Sequence, residues 1–283
     1  MRRLVHISDL HFGRTDPALV SRLVAHITEL APHLLVVSGD LTQRARPAEF
    51  MEARTFLDRV PAPRVVVPGN HDIALYDLVG RFVERLDRYK RYISNDVEPF
   101  FSDDEIAVAC VNTARSLTFK GGRINHEQVE RTRQRFGSAK RSAARILVAH
   151  HPLDLPAGFE QPLAGRSRMA LRALADCGIH MILSGHLHIP RYPAPAEPMR
   201  IGGHTALLIQ AGTAVSSRLR GGHPNSFNVI EVDDGRVTIE QRCWSEAASD
   251  FAPSVARAFE LQHVHRVVPF SEPDDLAGVG RRP

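Results

Sequence analysis

Asp9-Leu10-His11, Gly39-Asp40, Gly69-Asn70-His71-Asp72, His150-His151-Pro152 and Gly185-His186-Leu187-His188 place carboxylates, imidazoles and an amide in five short segments, in that order along the chain. These groups are ligands of borderline to hard divalent ions such as Mn, Fe, Zn, Co or Ni, and one shared carboxylate can bridge two of them. No thiolate is required. An isolated Asp-x-His or Gly-Asp carries no weight, and a single buried histidine is more often a hydrogen-bonded core residue than a ligand. Context gives the set its force, because each segment directly follows a short apolar run. Asp-x-His and His-x-His read as extended segments whose alternate side chains share one side and enter one site. Glycines before Asp40, Asn70 and His186 permit sharp turns and close backbone approach.

The elements that must position these groups are legible in outline. Residues 4–7, 34–37, 65–67, 106–111, 146–149 and 181–183 are short, rich in β-branched residues and bounded by Gly, Pro or Asp, which predicts buried strands. Loops at the carboxyl ends of such strands share one rim of an α/β sheet, so the five segments should converge. Between the strands, Asp16-Pro17 predicts a helix start followed by Leu19, Val20, Leu23, Val24 and Ile27 at helical spacing. Residues 47–59 behave likewise, Asn125 caps a helix carrying Val129, and residues 167–175 run up to Cys177-Gly178 as a C-terminal stop. Later, the Pro-rich stretch 189–198 reads as irregular, and residues 206–210, 226–232 and 236–242 as strands, the last two a hairpin turning at Asp234-Gly235. Beyond Trp244 the pattern weakens, and residues 272–283 read as a mobile tail. The expected organisation is one domain over residues 1–245 with a C-terminal extension or tail over 246–283.

Composition narrows the function classes. The formal charge of +4 comes from 36 Lys and Arg interspersed with 32 Asp and Glu, which suits an anionic substrate without demanding one. A nucleic-acid surface would cluster basic and aromatic residues, whereas the densest basic run, 131–145, holds only Phe136 and reads as a helix face. A nucleic-acid polymer is therefore not an expected partner. No stretch approaches the roughly 20 apolar residues that span a bilayer, and Met1-Arg2-Arg3 leads straight into the first strand, so no membrane partner and a cytoplasmic location are expected. Cys110, Cys177 and Cys243 are widely spaced and odd in number, which argues against a disulfide framework or a Cys-based zinc site.

Across residues 4–188 the series resembles the calcineurin-like metallophosphoesterase superfamily. The resemblance implies an α/β fold, a four-layer α/β/β/α sandwich of two mixed β-sheets flanked by helices. It implies two divalent ions per chain, Mn and/or Fe foremost, with Zn, Co or Ni as alternatives. Asp9, His11, Asp40 and His188 would hold one ion and Asp40, Asn70, His150 and His186 the other, with Asp40 as the bridge. His150 is preferred to His151 because the family ligand lies two positions before a proline, which leaves His151 to support or pack. His71 would steady the phosphoryl group and protonate the leaving oxygen, with Asp72 orienting it. The implied reaction is in-line attack by a metal hydroxide on a phosphate ester.

Gly39-Asp40 is followed by Leu41-Thr42-Gln43 and Asn70-His71 by Asp72, unlike the protein Ser/Thr phosphatases, which carry Asp-Arg-Gly and Glu at those places. The segments instead resemble the bacterial phosphodiesterase branch that includes class III cyclic-nucleotide phosphodiesterases. A small anionic phosphodiester is the expected substrate. A phosphomonoesterase, a nucleotide pyrophosphatase and a non-catalytic interaction module are the alternatives. Loops 43–46, 73–91, 153–168 and 189–223 should set specificity. Arg44, Arg46, Arg166 and Arg218 could meet phosphate, though each reads first as a surface charge. His204 and His223, in Gly-rich loops, could approach the substrate, while His6, His26, His33, His126, His180, His263 and His265 read as structural or surface residues. The 226–242 hairpin and Val264, Val267, Val268 and Phe270 offer an apolar face for a homo-oligomer.

Overall fold

In the computed structural model, residues 1–74, 86–115, 121–155, 161, 163–189, 196–201, 204–262 and 266–269 are described. Parts of three expected specificity loops, His263, Val264, His265, Phe270 and the 272–283 tail lie outside the described residues, as do the side chains of His204, Val267 and Val268.

The first half alternates strands and helices. It runs β1 (Arg2–Ile7), α1 (Pro17–Leu30), β2 (Leu34–Val37), α2 (Pro47–Asp58), β3 (Arg64–Val66), a 3-10 turn at Asn70–Asp72, and α3 (Asp87–Tyr92). Then come β4 (Phe100–Ser102), β5 (Ile106–Val111), α4 (His126–Ser138), β6 (Ala144–Ala149), α5 (Ser167–Leu174) and β7 (Met181–Ser184). The remainder is strand: β8 (Ala196–Ile201), β9 (His204–Gln210), β10 (Ser226–Asp233), β11 (Arg236–Ser245), β12 (Asp250–Gln262) and β13 (Arg266–Pro269).

Local chemistry explains the helix starts. The Asp16 carboxylate accepts from the Ala18 amide at 2.8 Å, with Pro17 in the first turn where its missing N–H costs nothing. Asn125 and Gln128 form a reciprocal cap on α4, each side chain accepting from the other's backbone amide at 2.8 and 3.0 Å.

Two mixed sheets stack face to face. One has the order β13-β12-β11-β10-β1-β2-β3 and the other β4-β5-β6-β7-β9-β8. The parallel pairs are β1–β2, β2–β3, β5–β6, β6–β7 and β7–β9. Because strand side chains alternate, β1 sends Leu4 into the layer between the sheets with Leu34, Val36, Val148 and Leu183, and sends Val5 and Ile7 outward against Leu23 and Ile27 of α1 and Phe50 and Phe56 of α2. On the far side, Leu147 and Ile182 pack with Val129 and Phe136 of α4 and Leu171 of α5. The architecture is thus helices, sheet, sheet, helices.

Three expectations are corrected. The third strand is Arg64–Val66, one residue earlier than read. The Pro-rich stretch is not irregular throughout, since Ala196–Ile201 forms β8 at the edge of its sheet, the place in a sheet that tolerates a proline such as Pro198. The chain beyond Trp244 also continues the sheet: β12 pairs antiparallel with β11 and seats Phe259 and Leu261 between the sheets. The 226–242 hairpin consequently lies inside a sheet, flanked by β1 and β12 of its own chain.

Candidate metal centre

The loops that leave β1, β2, β3, β6 and β7 bring the five segments together. Asp9, His11, Asp40 and His188 form one buried group whose ligand atoms lie within 4.8 Å of one another, and His150, His151 and His186 form a second. The His150 Nε2 atom lies 3.3 Å from Asp40 Oδ2 and 3.2 Å from Asn70 Oδ1, which joins the second group to Asp40. His188 Nε2 is 3.2 Å from Asp9 Oδ1, and His11 Nε2 is 3.8 Å from both Asp9 Oδ1 and Asp40 Oδ2.

The backbone beneath these side chains is not extended, which corrects the reading of Asp-x-His and His-x-His. Asp9, His11, Asp40, His186 and His188 all take left-handed conformations, with φ of 52°, 49°, 53°, 73° and 58°. Each such residue costs of order 1–2 kcal/mol and persists because surrounding bonds over-determine it. Here Asp9 N–H donates to Gly39 O at 3.1 Å, His11 N–H to Asp40 O at 3.0 Å, and His186 N–H to Asp9 Oδ2 at 2.9 Å. Two glycines allow the loops to meet. A Cβ on Gly69 would sit 2.1 Å from Asp40 Oδ1, and one on Gly185 1.9 Å from Ser8 Oγ.

Whether these residues suit metal ions can be judged from the protein's own polar atoms. His11 Nδ1 lies 3.3 Å from Thr42 O, His150 Nδ1 2.8 Å from Ser38 O and His188 Nδ1 2.9 Å from Arg218 O. A carbonyl only accepts, so each Nδ1 carries the proton and each Nε2 presents a lone pair to the site. His11 and His188 then face each other lone pair to lone pair at 3.1 Å, an arrangement that a cation between carboxylates and imidazoles resolves. Asp9 Oδ1 is buried without any hydrogen-bond partner, which fits a carboxylate oxygen reserved for a cation. The donor set therefore fits two divalent ions meeting at Asp40.

A proton competes with a metal ion for Nε2 of His150. Burial weighs against a charge on His150, but the adjacent Asp40 carboxylate overrides it and pushes the imidazole up to about 9. Burial likewise opposes a charge on Asp40, yet the neighbouring His150 and His71 hold it well below the usual carboxylate range. Burial, foremost, lowers His186 to about 3 and holds His11 well below its ordinary value.

Beside this centre stands His71, its ring edge-on to His11 with centroids 4.8 Å apart. The ring is held by Gln43, whose carbonyl accepts from Nδ1 at 2.7 Å, and its Nε2 accepts from Arg218 Nη1 at 2.7 Å. The hydrogen bonds of Asp72 go elsewhere than to that ring. Its carboxylate accepts from the amides of Leu41, Thr42 and Gly69 at 3.2, 2.9 and 2.9 Å and lies 2.9 Å from the Thr42 hydroxyl, so it ties the loop after β2 to the loop after β3. Burial and the nearby Asp40 charge raise it to about 6.

His151 packs beside His186, with Nδ1 2.8 Å from Thr113 Oγ1 and a buried Nε2 that has no hydrogen-bond partner. Of the arginines weighed for substrate, Arg218 reaches the site, whereas Arg46 and Arg166 stand at helix starts. Thr213, whose Oγ1 lies 3.0 Å from His188 Nδ1, was not foreseen; its position just after a strand end, following Gly212, was the available signal. Four other histidines hold the frame: His6 bonds Ser38 Oγ at 2.9 Å, His33 accepts from Arg3 N–H at 3.1 Å, His26 meets Asp250 at 2.7 Å and His180 accepts from Arg145 N–H at 2.9 Å.

Comparison with known proteins agrees with this geometry. Residues 2–190 match the family model described as calcineurin-like phosphoesterase. Over 208 residues the chain is 24% identical to a Synechococcus protein named as a probable cyclic nucleotide phosphodiesterase, covering 65% of this chain and 72% of that one. Over 200 residues it is 26% identical to a glycerophosphodiester phosphodiesterase of Enterobacter lignolyticus, covering 65% and 70% of the two chains. In fold it is similar to a dimetal phosphatase from Danio rerio, with a TM-score of 0.63 at 13% identity over 90% of this chain and 98% of that one. Among the described residues, no helix is long and apolar enough to cross a membrane. A family match across all five segments, on a fold that gathers their metal-binding side chains around Asp40, places the chain in the calcineurin-like phosphoesterase family as a metal-dependent phosphoester hydrolase.

Proposed function

We propose that the chain hydrolyses a small phosphodiester at a centre of two divalent ions, Mn and/or Fe, held by Asp9, His11, Asp40, Asn70, His150, His186 and His188. The observation that carries the reading is the meeting of both ligand groups at the buried Asp40, with the His71 imidazole at their edge. When bound, the ions supply an activated water and neutralise charge on the phosphoryl oxygens.

The chain's own residues do the rest. The Asp72 carboxylate fixes the Asp40 loop against the Asn70-His71 turn, so ligands from two strands keep one spacing. The carbonyls of Thr42, Ser38 and Arg218 fix the ring orientation of three histidines. Gln43 O holds Nδ1–H of His71, which turns Nε2 toward the site, where, once it has taken up a proton, it gives that proton to the leaving oxygen. Such acid help contributes ~10²- to 10⁴-fold, most for a poor leaving group.

Diester preference is supported by the two curated relatives, both named as phosphodiesterases. Cyclic nucleotides, glycerophosphodiesters and small alkyl or aryl diesters are the substrates to screen. The deciding experiment compares bis(p-nitrophenyl) phosphate with p-nitrophenyl phosphate, using protein whose metals have been quantified. The reading requires a strong diester preference; monoester preference would make the chain a phosphatase.

A further inference from the structure

The loop after β9 brings Arg218 to the centre twice. Its backbone oxygen accepts from Nδ1 of His188 at 2.9 Å, and its Nη1 donates to Nε2 of His71 at 2.7 Å. The loop itself is anchored. The hydroxyls of Ser216 and Ser217 each donate to Arg14 O at 3.1 Å, and the Ser217 amide donates to the same oxygen at 2.9 Å. Arg14 lies three residues beyond His11, so the guanidinium is placed by the same loops that place the ligands.

In this arrangement both nitrogens of His71 are engaged, Nδ1 by Gln43 O and Nε2 by Arg218. A nitrogen that accepts from a guanidinium cannot at the same time face a leaving oxygen as a donor. We infer that Arg218 is a positioning residue that exchanges partners: on substrate binding its guanidinium passes from Nε2 of His71 to a non-bridging phosphoryl oxygen, and Nε2 is cleared to face the leaving group. The exchange has a direction because a charge-assisted bond to an oxyanion is stronger than one to a neutral imidazole, and the planar fork of arginine matches two phosphoryl oxygens. The exchange itself moves only hydrogen bonds: the guanidinium keeps its proton, and the proton that the cleared Nε2 later gives to the leaving oxygen is first taken up from solvent water. The role of His71 as acid comes from the phosphodiesterase reading and the inference rests on it to that extent, whereas the oxyanion contact can be tested without turnover.

Arg218→Ala and Arg218→Lys are compared with the unaltered, metal-loaded protein. Inorganic phosphate binding is measured by calorimetry, turnover of bis(p-nitrophenyl) phosphate by kcat and KM, and metal content by elemental analysis. Arg218→Ala should weaken phosphate binding and raise KM about 10- to 100-fold, the worth of a charged hydrogen bond. Metal content should hold, because the contact to His188 uses the backbone, and Arg218→Lys should keep part of the phosphate affinity. Added guanidinium ion should restore affinity to Arg218→Ala. Unchanged phosphate affinity, or a loss that tracks loss of metal, would overturn the inference and leave Arg218 as a prop for the His71 ring. If the unaltered protein turns over no diester, the phosphodiesterase reading fails, and the phosphate isotherms still decide whether Arg218 meets the oxyanion.

Discussion

Replacing Asp72 by Asn separates a loop tie from a catalytic orienting role. The carboxylate faces three backbone amides and one hydroxyl, divided two to each oxygen: Thr42 N–H and Oγ1 at Oδ1, Leu41 and Gly69 N–H at Oδ2. With NH₂ in the place of Oδ1, the Thr42 hydroxyl can donate to His71 O, 3.0 Å away, and Thr42 N–H alone loses its acceptor inside a buried site; the opposite orientation strands both Leu41 and Gly69 N–H. An unsatisfied buried donor costs about 1–3 kcal/mol, so Asp72→Asn should lose about 1–3 kcal/mol of stability. With a urea m-value of ~3 kcal/mol/M, the midpoint should fall by ~0.3–1 M. The loops that part are those carrying Asp40 and Asn70, so the variant should also release metal to a chelator faster than the unaltered protein. Activity should fall in proportion to metal lost, equally for good and poor leaving groups. An unchanged midpoint, with a loss confined to poor leaving groups, would refute the loop-tie account and return Asp72 to orienting His71.

Gly69→Ala puts a methyl 2.1 Å from Asp40 Oδ1 and 2.4 Å from its amide, so the variant should fold but bind fewer than two metals; full metal content by elemental analysis would contradict the close-approach argument. His6 is fully buried and burial lowers it to about 3, below the ~6.5 of an unfolded chain, so protons favour the unfolded state and stability drops as pH falls from ~6.5 toward ~3. That contribution is about 1.4 kcal/mol per pH unit, and His6→Gln should flatten the urea-midpoint profile by this amount between pH 6 and pH 4; parallel profiles would count against it. Phe259→Ala, which empties a buried position on β12 between the sheets, should cost about 3–5 kcal/mol; a loss under ~1 kcal/mol would mean that β12 is peripheral.

The convergence of the five candidate segments was legible because each stands where an apolar run stops, and a parallel strand has to end at the rim where chemistry collects. The backbone conformation at the site was not. Left-handed residues at Asp9, His11 and His188 depend on bonds between loops that are distant in sequence, such as His11 N–H to Asp40 O, and no local pattern announces them. Asp72 reads as a partner for His71 because the two are adjacent, whereas three of the four donors at its carboxylate come from Leu41 and Thr42 on the β2 loop, distant in sequence. β12 was obscured by Pro253, an unfavourable residue inside a strand. The structure accommodates it opposite Arg242, where the register shifts between Gln241 and Arg242 and the ladder is already interrupted.

The meeting of two metal sites at Asp40 is tested most directly by elemental analysis of the purified protein beside Asp40→Ala. The unaltered chain should carry two divalent ions, and Asp40→Ala, with correct folding shown by circular dichroism, should carry fewer than one. A folded Asp40→Ala chain that retains both ions would contradict the shared-carboxylate centre.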